Sequence, residues 1–268
     1  MKIQVRQQNG IIYAKARVKM INYSLNVYTY LLNGLLIDCG PSRFSRDFIN
    51  FFQEHNIHNV ALTHFHEDHS GNAFWFSQQG IPVYIHKSVL NSCKKKAKLP
   101  IYRYIFWGKR ESFLPQPISD RIEGENVTCK VIETPGHSPD HVALYSKEQG
   151  ALFTGDLVVT PRPTVLLKGE NVPQIIASLR CLLAYDFSTV YCAHAGPIRN
   201  GREVITKKID YLETVTGKVL ELHQQGWDIL EIRKKMFPKT PMLSYISAKD
   251  WASEHIIESI IMHNQHYC

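Results

Sequence analysis

The chain has 268 residues, of which 44% are hydrophobic, so it is long enough to bury a core as one large domain or two small ones. Its formal net charge of +7 favours contact with anionic groups such as phosphate or carboxylate, but the excess is too small to indicate a nucleic-acid-binding protein. The most apolar region, residues 25–39, is interrupted by polar residues, so no membrane-spanning helix is predicted. The N-terminal sequence MKIQVRQQNG lacks the apolar core of a signal peptide, so the expected location is the cytoplasm.

The first part of the chain has the alternation and the turn dipeptides of β-hairpins. Two hairpins are predicted: strands 3–5 and 11–18 around Asn9-Gly10, and strands 25–32 and 35–38 around Asn33-Gly34. Apolar runs typical of further strands lie at 60–63, 82–86, 128–133, 141–145, 151–153 and 189–192. The turn Gln149-Gly150 is expected to join two of these strands as a third hairpin.

Helical spacing of apolar residues appears between and after the strands. The first such segment is 42–54, with one apolar face formed by Phe44, Phe48, Ile49 and Phe52. The other predicted helices are 88–98, 172–185, 202–225, 228–237 and 247–263. Because strand-like alternation ends near residue 200, we predict an α/β body over 1–200 and a helical C-terminal segment over 201–268.

The cysteines are spread along the chain, at Cys39, Cys93, Cys129, Cys181, Cys192 and Cys268. None belongs to a CxxC pair, and no export signal is predicted, so free thiols are expected. None of them is assigned to a metal.

A dense group of potential metal ligands follows the apolar run at 60–63. It reads His64-Phe65-His66-Glu67-Asp68-His69. Because residues i and i+2 of an extended chain point to the same side, His64 and His66 can meet one metal ion. Asp68 and His69 lie where the chain turns into the next helix and can face a second ion. Zinc readily takes imidazole nitrogen and carboxylate oxygen, so the stretch predicts a metal site.

This stretch resembles the HxHxDH signature of the metallo-β-lactamase superfamily, and further motifs are similar to those of the family in the same order. They are TPGHSPDH at 134–141, FTGD at 153–156 and AHAGP at 193–197, with Asp38-Cys39-Gly40 similar to the family's DxG turn. The resemblance implies an αββα four-layer sandwich that carries two metal ions. The implied ligands are His64, His66 and His137 for the first metal, Asp68, His69 and His194 for the second, and Asp156 as the bridge between them.

The resemblance implies a binuclear metal-dependent hydrolase. In such sites the two ions lie roughly 3.5–4 Å apart and lower the pKa of a bridging water, and the hydroxide attacks an electrophilic carbonyl or phosphorus. Asp68 can also orient that nucleophile or pass a proton, which makes it the predicted catalytic residue. Zinc is the expected metal, with two ions per chain, although His and carboxylate ligands also accept manganese or iron. His141, close to the second motif, can support a ligand by a hydrogen bond.

Two branches of the family fit the sequence. Asp156 argues against the branch that degrades β-lactams. His66 argues against the di-iron branch, which carries a flavin domain. The leading interpretation is an enzyme similar to glyoxalase II that hydrolyses an ester, thioester or lactone of an anionic small molecule. The alternative is a phosphodiesterase similar to the lactamase-like endoribonucleases, acting on nucleic acid, because the segment from Arg202 onward matches their helical tail in size. A third interpretation is a metal-binding protein with little turnover.

The segment 93–113 lies between two motif strands, where family members place a substrate-covering element. It combines lysines and arginines with aromatic residues, a pattern that favours an anionic substrate. Among them, the predicted substrate-binding residues are Tyr102, Tyr104, Trp107, Lys109 and Arg110. The alternative is a solvated lysine helix followed by an aromatic anchor that packs on the body. No membrane partner is expected, and a dimer through the C-terminal helices is left open.

Overall fold

A computed structural model describes residues 3–20 and 23–265. The chain divides into two compact units. The first unit comprises the chain up to Glu133 together with Asp140–Val159 and Asp186–Asn200, and the second comprises Thr134–Pro139, Thr160–Tyr185 and the chain from Gly201 onward. The chain passes between the two units several times, for the last time between Asn200 and Gly201. The division into domains 1–200 and 201–268 stays a prediction.

The described residues form fifteen strands and ten α-helices. The strands are β1 (Gln4–Gln8), β2 (Ile11–Met20), β3 (Tyr23–Leu32), β4 (Leu35–Ile37), β5 (Asn59–Ala61), β6 (Val83–Ile85), β7 (Pro115–Pro117), β8 (Arg121–Gly124), β9 (Val127–Glu133), β10 (Val142–Ser146), β11 (Ala151–Phe153), β12 (Leu166–Leu167), β13 (Thr189–Cys192), β14 (Gly196–Ile198) and β15 (Trp251–Ala252). The helices are α1 (Ser45–Gln53), α2 (Glu67–Ser70), α3 (Ala73–Gln78), α4 (Leu90–Cys93), α5 (Ile101–Trp107), α6 (Val172–Leu182), α7 (Gly201–Gln224), α8 (Ile229–Met236), α9 (Met242–Ile246) and α10 (Glu254–Gln265).

The first unit contains two sheets. One sheet has seven strands in the order β1 to β7, antiparallel from β1 to β4 and parallel from β4 to β7. The other has six strands in the order β14-β13-β11-β10-β9-β8. Asn9-Gly10 and Asn33-Gly34 all have positive φ and form tight turns, which confirms the two predicted hairpins. The antiparallel pairing of β10 with β11 confirms the third.

The two sheets of the first unit share one hydrophobic core. Tyr30 of the first sheet contacts Phe153 and Tyr191 of the second, with ring centroids 5.6 Å and 5.3 Å apart. Helices α1 and α3 meet through Phe52 and Phe76, whose ring centroids are 4.7 Å apart. Phe48 and Phe51 of α1 are also buried, so Phe51 takes the place predicted for Ile49. These sheets and helices confirm the predicted α/β fold class.

The second unit is mainly helical and has one small sheet of β12 and β15. Two of its helices begin at residues whose side chains cap them. Asn171 accepts a hydrogen bond from the Gln174 backbone N–H at the start of α6, and Asp228 forms a capping box with Glu231 at the start of α8. These contacts satisfy backbone donors that no residue within the helix can reach.

Two predicted helices differ from those observed. The last one begins at Glu254 rather than near Ser247, because Ala248 and Lys249 have left-handed φ values of 50° and 68°, which end regular helix. The helix predicted over 88–98 ends at Cys93, and a separate helix, α5, follows Pro100. The residue before a proline is disfavoured in helical conformation, which separates the two.

The predicted free thiols are confirmed for Cys39, Cys93, Cys129, Cys181 and Cys192, while Cys268 lies outside the described residues. Among the helices at 3–20 and 23–265, none combines the length and the apolar character that crossing a membrane requires. The cytoplasmic location stays a prediction.

Candidate metal centre

The HxHxDH stretch lies at the end of a buried strand of the first sheet. β5 ends at Ala61, the chain bends at residues 63–65, and His66 precedes α2 with φ and ψ of −59° and 152°. It then turns into α2, so that Asp68 and His69 lie in the first turn of a helix. The start of α2 agrees with the predicted turn into a helix at Asp68 and His69. The prediction of extended chain through His64 and His66 is wrong, because residues 63–65 are bent.

Four side chains of the first unit converge on one point, and they are Asp68, His69, Asp156 and His194. Their potential ligand atoms all lie within 4.8 Å of one another. His69 Nε2 is 3.3 Å from an Asp156 oxygen, and His194 Nε2 is 3.2 Å from one oxygen of Asp68 and one of Asp156. The residues come from α2 and from the loops after β11 and β13. Two imidazoles and two carboxylates form a donor set that suits zinc, manganese or iron, so this group is able to hold a metal ion.

Hydrogen bonds from the opposite ring nitrogens orient both imidazoles. His69 Nδ1 lies 2.8 Å from a carboxylate oxygen of Asp38, and His194 Nδ1 lies 2.6 Å from the backbone oxygen of Asn26. Each ring therefore donates outward through Nδ1 and presents Nε2 to the centre, as metal-binding histidines do. Asp38 is fixed in turn, because it accepts a hydrogen bond of 2.8 Å from the Thr63 backbone N–H.

The charges within the group are strongly coupled. Burial alone would raise the pKa of Asp68 and of Asp156. The neighbouring His69 and His194 outweigh this effect, so the pKa of each carboxyl lies below its usual value. Burial lowers the pKa of the two histidines, and the surrounding carboxylates raise it well above the usual value. Without a metal, protons on the imidazoles balance the carboxylates, and a divalent cation would replace those protons.

The remaining predicted ligands lie in both units. In the first unit, His64 is buried, and its Nε2 is 2.9 Å from His66 Nδ1. In the second unit, His137 is buried and its Nδ1 contacts the carboxylate of Glu170. A carboxylate on one ring nitrogen is the kind of partner that metal-binding histidines have. Glu170 was not anticipated from sequence, because 33 residues separate it from His137 and no motif includes it. The role of these three histidines as ligands stays a prediction.

The loop that carries Asp156 is held by His141, as expected for a supporting residue. The Asp156 backbone N–H donates to His141 Nε2 at 3.3 Å. Gly155, which precedes Asp156, has a φ of 45°, and a Cβ there would lie 2.6 Å from His141 Nε2 and 2.8 Å from Thr63 Oγ1. Only glycine fits this position without displacing its neighbours.

The predicted substrate-binding residues occupy different environments. Trp107 is 7% exposed, and its ring centroid lies 6.0 Å from that of His194, so it borders the group that can hold a metal. Tyr102 is half-buried, Tyr104 is exposed, and Lys109 is exposed beside Glu111. Arg110 is buried and donates a hydrogen bond of 3.3 Å to the backbone oxygen of Ser92, a contact that supports the segment itself. Their contacts with substrate stay predictions.

Comparison with protein families identifies the class to which this fold and this group of residues belong. The model of the metallo-beta-lactamase superfamily matches residues 24–194, more than half of the chain. The chain therefore belongs to the metallo-beta-lactamase superfamily, as the order of its motifs predicts.

Several characterised relatives are similar to parts of the chain. A beta-lactamase-like protein 2 homolog of Caenorhabditis elegans is 29% identical over 59% of this chain and 48% of its own length. An atrochrysone carboxyl ACP thioesterase of Aspergillus fumigatus is 28% identical over 72% of this chain and 58% of its own length. A hydroxyacylglutathione hydrolase of Hahella chejuensis is 25% identical over 54% of this chain and 51% of its own length. The chain thus spans about half the length of these relatives.

A solved structure supports the fold over nearly the whole chain. It is the crystal structure of a metallo-beta-lactamase family protein from Thermus thermophilus, with a TM-score of 0.68 and 18% sequence identity. The match covers 97% of this chain and 94% of that one. At this identity the likeness shows the shared fold.

Proposed function

We propose that this protein is a metal-dependent hydrolase that cleaves a thioester of an anionic small molecule, and that related esters and lactones are lesser substrates. The observation that carries the proposal is the buried convergence of Asp68, His69, Asp156 and His194, with both imidazoles turned inward through Nε2. The relatives named as a thioesterase and as a hydroxyacylglutathione hydrolase favour the thioester among the acyl compounds.

The proposed ligand set has two parts. His64, His66 and His137 would hold one ion, Asp68, His69 and His194 would hold another, and Asp156 would serve both. Zinc is the proposed metal at both positions, because imidazole and carboxylate are donors that it prefers, and manganese or iron would also be accepted. The contact of His137 with Glu170 supports its part, since a carboxylate that holds the outer nitrogen orients a histidine toward a metal.

The chemistry divides between the metals and the chain. When bound, the metal ions lower the pKa of a shared water and polarise the carbonyl under attack. Asp68 orients the attacking water, and its carboxylate accepts the proton that the water gives up. Trp107 beside His194 supplies an apolar wall against which the substrate packs.

The test compares two substrates on zinc-loaded and manganese-loaded protein. A glutathione thioester should be cleaved faster than an aryl phosphodiester, and Asp68→Ala should reduce thioester turnover by about 100-fold or more because an orienting and proton-accepting group is lost. Asp47→Asn on α1 is a matched control and should leave turnover unchanged.

Two other outcomes have definite meanings. Faster phosphodiester cleavage would move the protein to the nucleic-acid branch, for which the exposed lysines Lys94, Lys95, Lys96 and Lys98 would provide backbone contacts. Binding of metal with no turnover of either substrate would favour the metal-binding protein with little activity.

A further inference from the structure

A buried ion pair joins the HxHxDH stretch to helix α5. Arg103 donates from Nε to Glu67 Oε1 at 2.5 Å and from a terminal nitrogen to Glu67 Oε2 at 2.8 Å. The Glu67 side chain is 2% exposed and that of Arg103 is 15% exposed. Two parallel contacts of this kind fix the relative position and the orientation of both groups. Glu67 is the residue before Asp68, so the ion pair connects α5 directly to the helix that carries two predicted ligands.

Apolar burial holds only the C-terminal end of α5 in place. Ile101 is 80% exposed, Tyr104 is 55% exposed and Ile105 is 47% exposed. Phe106 and Trp107, at the end of the helix, are its buried residues. The rest of this seven-residue helix has no buried apolar side chain and depends on polar contacts for its position.

Polar contacts also hold the C-terminal end of α5. Arg43 donates to the backbone oxygen of Ile105, and Ser42 Oγ donates to the Lys109 backbone oxygen at 2.6 Å. Gly108 passes so close to this segment that a Cβ would lie 2.4 Å from Ser42 Oγ. These contacts anchor one end of the helix, and the Arg103 ion pair anchors its middle.

Trp107 follows Arg103 by four residues and therefore lies on the same face of α5, one turn further along. Its ring borders His194, with 6.0 Å between the centroids. The ion pair sets the rotation of α5 about its axis and its position along that axis. Both determine where the indole lies.

We propose that Arg103 is a positioning residue which, through Glu67, holds Trp107 against His194 so that the indole forms one wall of the substrate site. The proposal rests on the proposed hydrolase function for its kinetic consequence and on the structure alone for its positional one. A buried ion pair is suited to this task, because it contributes more to a defined geometry than to net stability.

The positional consequence is tested with cobalt(II) as the probe, since bound cobalt quenches a nearby indole. The chain has four tryptophans. The difference in quenching between the wild-type protein and Trp107→Phe therefore gives the share of the quenching that comes from Trp107, called the Trp107 share. In Arg103→Gln that share should fall by more than half, while cobalt affinity stays within about threefold because no ligand changes. Arg46→Gln, an exposed arginine of α1, is the control and should keep the full share. An unchanged Trp107 share in Arg103→Gln would overturn the proposal.

A second variant covers the case in which Arg103→Gln fails to fold, since it leaves the Glu67 carboxylate buried without its partner. The double variant Glu67→Gln/Arg103→Gln removes both charges and should also lose the Trp107 share. Arg103→Lys should restore part of it, because lysine keeps the charge but not the two parallel contacts.

The kinetic readout separates positioning from a purely structural role. In Arg103→Gln the KM for the thioester should rise by about tenfold while kcat changes by less than about threefold, because a binding wall is displaced and the hydrolytic groups are not. A fall of about tenfold in kcat with no change in KM would contradict the proposal. If no thioester is hydrolysed by the wild-type protein, the hydrolase proposal fails while the cobalt measurement still decides the role of Arg103.

Discussion

At the scale of single residues, the outer hydrogen bonds of the histidines do as much to define the candidate centre as the ligands themselves. His69 and His194 could each present either ring nitrogen, and the partners Asp38 and Asn26 decide which one faces inward. The contact of His194 joins residues 168 positions apart in the chain, so it has no local sequence signal.

The contact between Asp38 and His69 gives a direct prediction. In Asp38→Asn the amide can still accept the Thr63 N–H bond, but an amide NH₂ facing His69 Nδ1 disfavours the required tautomer. Metal affinity should therefore fall by about 10- to 100-fold, as for other losses of an outer partner. Competition with a chromophoric chelator measures it, and Asp210→Asn on α7 is the control. An affinity equal to that of the wild-type protein would show that Asp38 does not orient His69.

The residues that sequence reasoning could identify are those within motifs. Asp68, His69, Asp156 and His194 each lie in a short pattern of recognisable spacing, and the structure brings them together. Glu67 lies inside the same motif, yet its role depends on Arg103, which lies 36 positions further on. Such a pair is not visible in a single sequence, because nothing local distinguishes a buried arginine partner from a solvated arginine.

At the scale of elements, the ends of strands place the candidate ligands. β5, β11 and β13 are buried strands, and the chain leaves each of them directly into a loop that carries a ligand. Buried apolar runs made these strands predictable, and for β11 the Gln149-Gly150 turn added a second signal. The short helix α5 and the break at Ala248 were not, since both depend on tertiary contacts and on left-handed backbone rather than on apolar periodicity.

The turn between β11 and Asp156 is an element in which a backbone change should be damaging. Gly155→Ala forces a left-handed φ on alanine and places a methyl group against His141 and Thr63. The free energy of unfolding should fall by about 1–3 kcal/mol, and metal affinity should fall with it. Urea denaturation of the metal-free protein measures the first effect. Gly217→Ala in α7 is the control, because a Cβ there meets nothing within 4 Å. Equal stability of Gly155→Ala and wild-type protein would contradict this account of the turn.

At the scale of the whole molecule, the coupled charges predict how the stability of the metal-free protein depends on pH. The pKa values of His69 and His194 are raised in the folded state, so their contribution is complete below the ordinary value of 6.5 and is lost as pH rises through the raised values. Those of Asp68 and Asp156 are lowered, so their contribution is present above 3.8 and is lost as pH falls through the lowered values.

The chelated protein should therefore lose free energy of unfolding as pH rises above 6.5, and the metal-loaded protein should not, because bound metal takes the place of the imidazole protons. Thermal unfolding of both forms across this range measures the difference. His194→Gln isolates the effect and should flatten the curve of the chelated protein. A chelated wild-type protein whose stability rises over the same range would contradict the assigned protonation.

The dependence of hydrolysis on bound metal is tested by measuring thioester turnover before and after removal of metal. Zinc-loaded protein should hydrolyse a glutathione thioester, lose that activity on dialysis against a chelator, and recover it when zinc is restored, while keeping its fold throughout. Hydrolysis that continues at the same rate in protein shown to contain no metal would contradict the claim that this superfamily member is a metal-dependent hydrolase.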